Sequence, residues 1–427
     1  INAPYVWLPL CLIFVAGLLD WRRPLRAAHL DLLVLTAGLG VSHFFFNQGE
    51  IGLSVPLAYP ALLYLLARAL WMGFRGGDGL RPSAPVTWLA VATLFLVGFR
   101  IGLDVADSNV IDVGYSGVVG ADRIADGSTL YGHFPANNSR GDTYGPLAYY
   151  AYVPFEQIFP WSGSWDDLPA AHAASIFFDL ATIAGLFLLG RRLRSGEAGR
   201  ELGVVLAFAW AACPYTAFAL ESNTNDSLLA ALLVATMLVL HSPAKRGATL
   251  ALATATKFAP LVLAPLFATY VDPSVAGPAR RIIRPALVFA LAFLAAAAVV
   301  MAQTLIDPGL GTFLERTVGF QSGRDSPFSI WGQIDLGPLH TVVMVLVGGL
   351  AALVALWPRQ KSPEAVAVLA AAVLIAFQLT MQHWFYLYVP WFVGLYFVGV
   401  LAGVPRDRAM AREAAAVRKP EPAPVSG

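Results

Sequence analysis

The sequence predicts an all-α polytopic membrane protein: a bundle of about 11 transmembrane helices plus a re-entrant hairpin, with one large loop that carries a short surface helix. Three observations carry the prediction. Only 13% of the 427 residues are charged, against roughly 25% in a soluble domain. Hydrophobic residues make up 57%, and the mean hydropathy is +0.64. Apolar runs such as "LVFALAFLAAAAVVMA" recur without the alternation that a membrane β-barrel needs. Lipid offers no partner for a free backbone N–H or C=O, so runs of this kind are helices.

In chain order, spans are predicted near 3–19, 29–46, 51–71, 85–104, 171–189, 202–220, 224–240, 281–303, 338–357, 364–381 and 384–403. Residues 1–84 are N-terminal transmembrane helices. Residues 85–403 form the main transmembrane region, with its large loop at 105–170, and 404–427 is a cytoplasmic tail predicted to be disordered. The chain begins at Ile1 without Met, which leaves room for an upstream span or signal. Charge sets the orientation. The connections near 20–28, 72–84, 190–201, 241–247, 270–285 and 358–363, with the tail, hold 21 of the 28 Lys and Arg. The opposite connections hold Arg123, Arg140, Arg316 and Arg324. The basic set is therefore cytoplasmic. This parity requires that 248–269, "TLALATATKFAPLVLAPLFATY", enter and leave on the same side. The alternative is a single span kinked at Pro260 and Pro265.

Net charge is +1 and no Walker loop, dinucleotide fingerprint, HExxH, CxxC or GxSxG occurs, so neither nucleic acid nor nucleotide-driven chemistry is expected. Cys11 and Cys213 lie in apolar runs and read as packed thiols. The polar sequence gathers on the non-cytoplasmic side, which suggests a site built from several loops at the ends of spans. In "DSNVIDVGYSGVVGADRIADGSTLYGHF" (Asp107 to Phe134), a short surface helix is predicted, with Asp122 and Asp126 on its wet side. Asp112 stands just before it among apolar residues. It is a candidate general base if partly desolvated, or a plain helix cap. In "ESNTNDSLL", Asn225 and Asp226 sit at a span mouth, as a cap with acid in the first turn or as substrate ligands. Lys257 lies inside the hairpin, where it either snorkels or binds a lipid phosphate. Arg324 either clamps phosphate or pairs with Asp325. His383 lies among aromatics at the mouth of the last span.

Together these blocks resemble one family. "DVGYSGVVGADRIADGSTLYG" followed by "DTYGPLAYYAYVPF" looks like the first large outer loop of the GT-C superfamily of polyprenol-phosphate-dependent glycosyltransferases, and most resembles family 87, the mannosyltransferase-like group. The family pattern falls on Asp112, Tyr115, Gly127, Leu130, Tyr131 and the turn Tyr144–Gly145–Pro146. "NDSLLAALLVATMLV" and "ALATATKFAPLVLAPL" resemble its middle segments in the right order. Two features depart from it. Four predicted spans precede the loop where the family usually has one, and the turn is Tyr-Gly-Pro rather than Tyr-Pro-Pro.

The resemblance implies a GT-C-like helix bundle with a catalytic cavity on the outer face of a plasma membrane, bacterial by that likeness. The donor would be a polyprenyl-phosphate sugar, mannose-like or another hexose or pentose, and the acceptor a glycan or glycolipid hydroxyl. Asp112 would be the base of an inverting transfer. Arg324, His383 and Lys257 are the cations offered to the leaving phosphate, in that order, because the orientation places Lys257 nearer the cytoplasm. Tyr115, Tyr131, Tyr144, Asn225 and Asp226 are the remaining substrate-binding candidates. No cofactor is expected; a metal is not required, although Asp104, Asp107 and Asp142 are acids that one would use. The competing expectations are a transporter or flippase for a lipid-linked sugar, which needs charges along a path through the spans, and a non-catalytic assembly protein.

Overall fold

The computed structural model describes residues 1–107, 109–271, 282–324 and 326–405, without the side chain of Asp107. The predicted tail from 406 onward and the Arg324–Asp325 pairing fall outside them. The chain is almost wholly helical, with one two-stranded antiparallel contact between Gly77–Asp78 and Gly403–Val404.

Among the described residues, six helices are long and apolar enough to cross a membrane: Ala27–Asn47, Ile51–Arg75, Val86–Ala106, Pro169–Leu193, Ile283–Ile306 and Gly337–Leu356. Gly196–Ala212 and Pro214–Glu221, bent by 58°, make a seventh if taken as one broken span. The other four predicted spans are helical but shorter: Pro4–Leu18, Asp226–Leu238, Pro363–Gln378 and Tyr386–Ala402. At 1.5 Å per residue, a 13-residue helix such as Asp226–Leu238 covers about 20 Å of a roughly 30 Å hydrocarbon layer. By length and composition alone, six of the 11 predicted spans qualify, or seven with the bent pair. A helix sheathed in protein is as apolar as one sheathed in lipid, so hydropathy alone does not separate the two. Residues Glu364 to Ala376 are buried without a break at the centre of the bundle. Ile283–Ile306 buries only Phe289 and Thr304 and faces outward along its length.

The basic connections gather at one end. Arg26 donates to the Asp78 and Gly79 carbonyls, and Arg194 binds Glu364 (2.5 Å) and the Ala402 carbonyl (2.9 Å). The bend at Pro214 is held by Arg100, which donates to the carbonyls of Trp210, Ala211 and Thr216 and to Asp179 at 2.6 Å. The Trp210 and Ala211 carbonyls lie at the end of the first helix, and one terminal nitrogen of the buried guanidinium donates to both.

Residues 243–270 fold back on themselves. Helix Pro243–Thr256 ends at Lys257, whose backbone is extended, and Ala259–Leu263 and Ala264–Thr269 return. Arg246, at the start, donates to the carbonyls of Phe267 and Tyr270 at the end (2.8 Å each), and Thr269 bonds the Ala355 carbonyl. The turn meets the large loop. Gly145 N–H donates to the Thr256 carbonyl at 3.2 Å, and a Cβ on Gly145 would lie 2.1 Å from the Ala255 carbonyl oxygen. A proline at 145 has neither the hydrogen nor the room, which explains the Tyr-Gly-Pro turn.

The large loop has its own core, made of Tyr115, Val118, Val119, Leu130, Tyr131, Phe134, Tyr149, Tyr152 and their neighbours. Helix Asp112–Ala125 runs through it. It is not the surface helix expected: Gly114 through Ala121 are all buried. Gly117 and Gly120 lie flush against the rings of Tyr152 and Tyr149, where a Cβ would come within 2.7 and 2.3 Å. Small residues with an i,i+3 spacing let the rings seat on the helix backbone. Its first residue, Asp112, and its end at Asp126 are exposed; Asp122 is half-buried.

Candidate active site

Asp112 is the first residue of its helix rather than the residue before it, and it is exposed rather than desolvated. Its backbone carbonyl accepts from Ser116 Oγ (2.5 Å) and Asn138 Nδ2 (3.1 Å). Its carboxylate makes no hydrogen bond or ion pair among the described residues. The helix start is anchored by Ile111 N–H to the Ser222 carbonyl, and Gly114 abuts the Asn223 carbonyl. Asn223 takes the left-handed conformation (φ 52°) that turns the chain into the next helix, Asp226–Leu238.

That turn brings Asp226 to Lys257. The two side chains form a buried ion pair, and Trp391 Nε1 donates to the same Asp226 oxygen at 2.5 Å. The ammonium lies 5.5, 5.5 and 5.2 Å from the ring centroids of Tyr144, Tyr388 and Trp391. A buried lysine needs a counter-charge, and ring faces add cation–π attraction. Lys257 is therefore not on the basic side of the bundle, where its orientation had put it. The fold-back carries it to the large loop. Its charge is already matched by Asp226, and Asn225 and Asp226 are both buried.

The Asp112 carboxylate reaches this cluster electrostatically. Burial first, and Asp112 second, hold the Tyr144 phenol well above its ordinary pKa, so Tyr144 stays protonated. Tyr388 is dominated by its burial, with Asp226, Arg324 and Asp112 all within electrostatic reach of its hydroxyl. Arg324 also acts on His383, whose Nδ1 is 2.8 Å from Ser326 Oγ. Burial and the Arg324 charge lower His383 to about 3, so it is neutral near pH 7 and offers a hydrogen bond rather than a charge.

Arg324 is half-buried and has no carboxylate partner among the described residues; its guanidinium lies over Phe320 (5.8 Å to the ring centroid). Arg140 lies over the same ring at 5.1 Å. With Glu315 they border a cleft of about 560 Å³, and a second cleft of about 360 Å³ lies between Arg324, Trp331 and Gln382. Phe320 is presented by the irregular helix that begins at Leu310 and widens into a π turn at Glu315–Gly319. Arg316 in that turn is fastened to Asp142 through both carboxylate oxygens (2.6 and 2.7 Å).

The structure thus brings together Asp112, Tyr144, Asp226, Lys257 and Arg324, with His383 beside Arg324. Two candidates take packing roles. Tyr115 is stacked on Trp165 (4.4 Å), and Tyr131 donates to the Tyr144 carbonyl (3.0 Å), both inside the loop core. The suggested acidic cluster does not form from its described members: Asp142 is held by Arg316, and Asp104 by His172 at 3.2 Å. No group of three or more His, Cys, Asp or Glu that could hold a metal occurs among the described residues. Sequence reasoning missed Tyr388, Trp391 and Arg140. The first two were visible as an i,i+3 aromatic pair in "YLYVPW". Arg140 was visible as one of four basic residues on the sparsely charged side.

No curated protein matches the chain. The model of glycosyltransferase family 87 matches residues 143–381, from the Tyr144 turn through the Asp226–Lys257 pair and Arg324; Asp112, His383 and Trp391 lie outside the match. With more than half of its length matched, and with membrane-length helices around the site, the chain belongs to glycosyltransferase family 87 and is a membrane glycosyltransferase.

Proposed function

We propose that this enzyme transfers a sugar, mannose-like or another hexose or pentose, from a polyprenyl phosphate to a hydroxyl of a glycan or glycolipid acceptor. The site lies on the non-cytoplasmic face, as the Lys and Arg distribution argues, and 243–270 is a re-entrant hairpin whose tip supports it. One observation carries the mechanism: an exposed, unpartnered carboxylate at Asp112 and an arginine, Arg324, that has no carboxylate partner among the described residues both lie within electrostatic reach of Tyr388. Asp112 takes the proton from the acceptor hydroxyl. The acceptor oxygen attacks the anomeric carbon from the face opposite the phosphate, the anomeric C–O bond to phosphate breaks with its electron pair, and configuration inverts. Arg324 and Arg140 receive the charge that grows on the departing phosphate. Lys257 orders Tyr144 and Tyr388 rather than meeting the phosphate.

A transporter would use the charges within the spans. Arg68 is held by Asp31 through two bonds (2.8 and 3.0 Å), and Arg100 by Asp179, so that reading gains no support. The test is Asp112→Asn in purified enzyme supplied with polyprenyl-phosphate mannose. Loss of a general base lowers turnover by about 10²–10⁴-fold. Turnover near that of the wild type would sink the assignment.

A further inference from the structure

The N-terminal helices lie outside the matched residues, yet they hold both segments that carry the phosphate side of the site. Ser42 Oγ, fully buried, donates to the Ser54 carbonyl (2.7 Å) and meets the Tyr386 hydroxyl at 2.5 Å. His43 stacks on the Tyr386 ring (4.4 Å, 20°), and Phe46 contacts Phe328, Phe385 and Tyr386. Tyr59 OH accepts from Ile330 N–H (3.2 Å), and Gln333 donates to the Ile51 carbonyl (3.1 Å). The two gripped segments are also joined to each other: Trp384 N–H donates to the Phe328 carbonyl at 3.1 Å, and His383 meets Ser326. Tyr386 stands three residues after His383 and two before Tyr388, at the junction of the Arg324 side and the Lys257 side of the site.

We propose that the hairpin of Ala27–Asn47 and Ile51–Arg75 is a positioning device, and that the Ser42–Tyr386 contact is the pin through which it sets Arg324 and His383 against Asp112. This rests on the site described above. It gives the additional N-terminal helices a function: they fix the distance between base and leaving-group charge, which loops alone hold poorly, and misplacement of about 1 Å costs on the order of 10²-fold in rate.

The test uses the full-length enzyme in nanodiscs, with Ser42→Ala, Tyr386→Phe and the two combined. Each single variant is expected to lower kcat about tenfold with little change in donor KM, and to lose exchange protection at the Trp384 and Ile330 amides. Ser42→Ala strands the Tyr386 hydroxyl, whereas Ser42 keeps its bond to the Ser54 carbonyl in Tyr386→Phe, so the thermal stability lost in Ser42→Ala recovers in the combined variant. A positioning role keeps its kcat and its amide protection low. Recovery of kcat along with stability, or unchanged protection in the single variants, overturns the proposal. Hydrogen exchange needs no substrate. An active Asp112→Asn enzyme would therefore refute the general-base reading while the pin is still decided.

Discussion

The Asp226–Lys257 pair gives the most demanding prediction. Both side chains are buried, and Trp391 Nε1 shares the bonded Asp226 oxygen. Asp226→Asn keeps the acceptor for Trp391 but strands the ammonium among three rings. Breaking one half of a buried pair destabilises by about 3–5 kcal/mol, whereas replacing both halves by neutral groups of similar volume is close to neutral. Lys257→Met keeps the aliphatic stem against Tyr144, Tyr388 and Trp391. Added to Asp226→Asn, it should recover all but about 1 kcal/mol. The assay is reversible unfolding in mixed micelles, with transfer activity measured on the same samples. An Asp226→Asn enzyme as stable as wild type would show that the charges are not desolvated. A double variant no more stable than the single one would show that pairing is not the cause. Activity separates the two roles of Lys257. If it only matches Asp226, the double variant turns over sugar; a phosphate-binding lysine would leave it inactive despite recovered stability.

Other outcomes follow from the same geometry. Gly145→Ala drives a Cβ into the Ala255 carbonyl and should cost about 1–3 kcal/mol, read as a lowered Tm. Gly145→Pro should cost more because the bond to Thr256 is also lost. Arg324→Ala should lower kcat/KM for the lipid-linked donor by about 10–100-fold, since a hydrogen bond to a charged group contributes about 1.5–3 kcal/mol, with Arg140→Ala smaller in the same direction; no change in either variant places the phosphate elsewhere. His383, lowered to about 3 in the folded protein, stays neutral while its unfolded counterpart protonates near 6.5. The stability due to its neutral burial is full above pH 6.5 and is lost as pH falls toward 3. By pH 5 the loss is about 2 kcal/mol, and His383→Gln should remove that part of the pH dependence in unfolding experiments. An equal acid sensitivity in wild type and variant would refute it.

Sequence and structure divide the protein along the range of the forces involved. Hydropathy, the Lys and Arg distribution and the aromatic, glycine-punctuated loop are local or additive properties. The helical membrane class and the family blocks within 143–381 were therefore legible in one dimension. Proximity was not. Lys257 read as a cytoplasm-side charge because its neighbours in sequence are basic connections, but the fold-back pairs it with Asp226, 31 positions away. Pro363–Gln378 reads as apolar, but that it is sheathed by protein on every side was not visible, because apolar burial in protein and in lipid leave the same signature. The surface helix became a core helix because Tyr149 and Tyr152, from beyond the next turn, sit down on its glycines. The sequence by itself determined which residues avoid water, since each residue's transfer free energy is its own. Only the tertiary structure decided which charges are already matched and which have no partner among the described residues. That depends on neighbours within a few ångströms, contributed by segments up to 344 residues apart, as in the Ser42–Tyr386 contact.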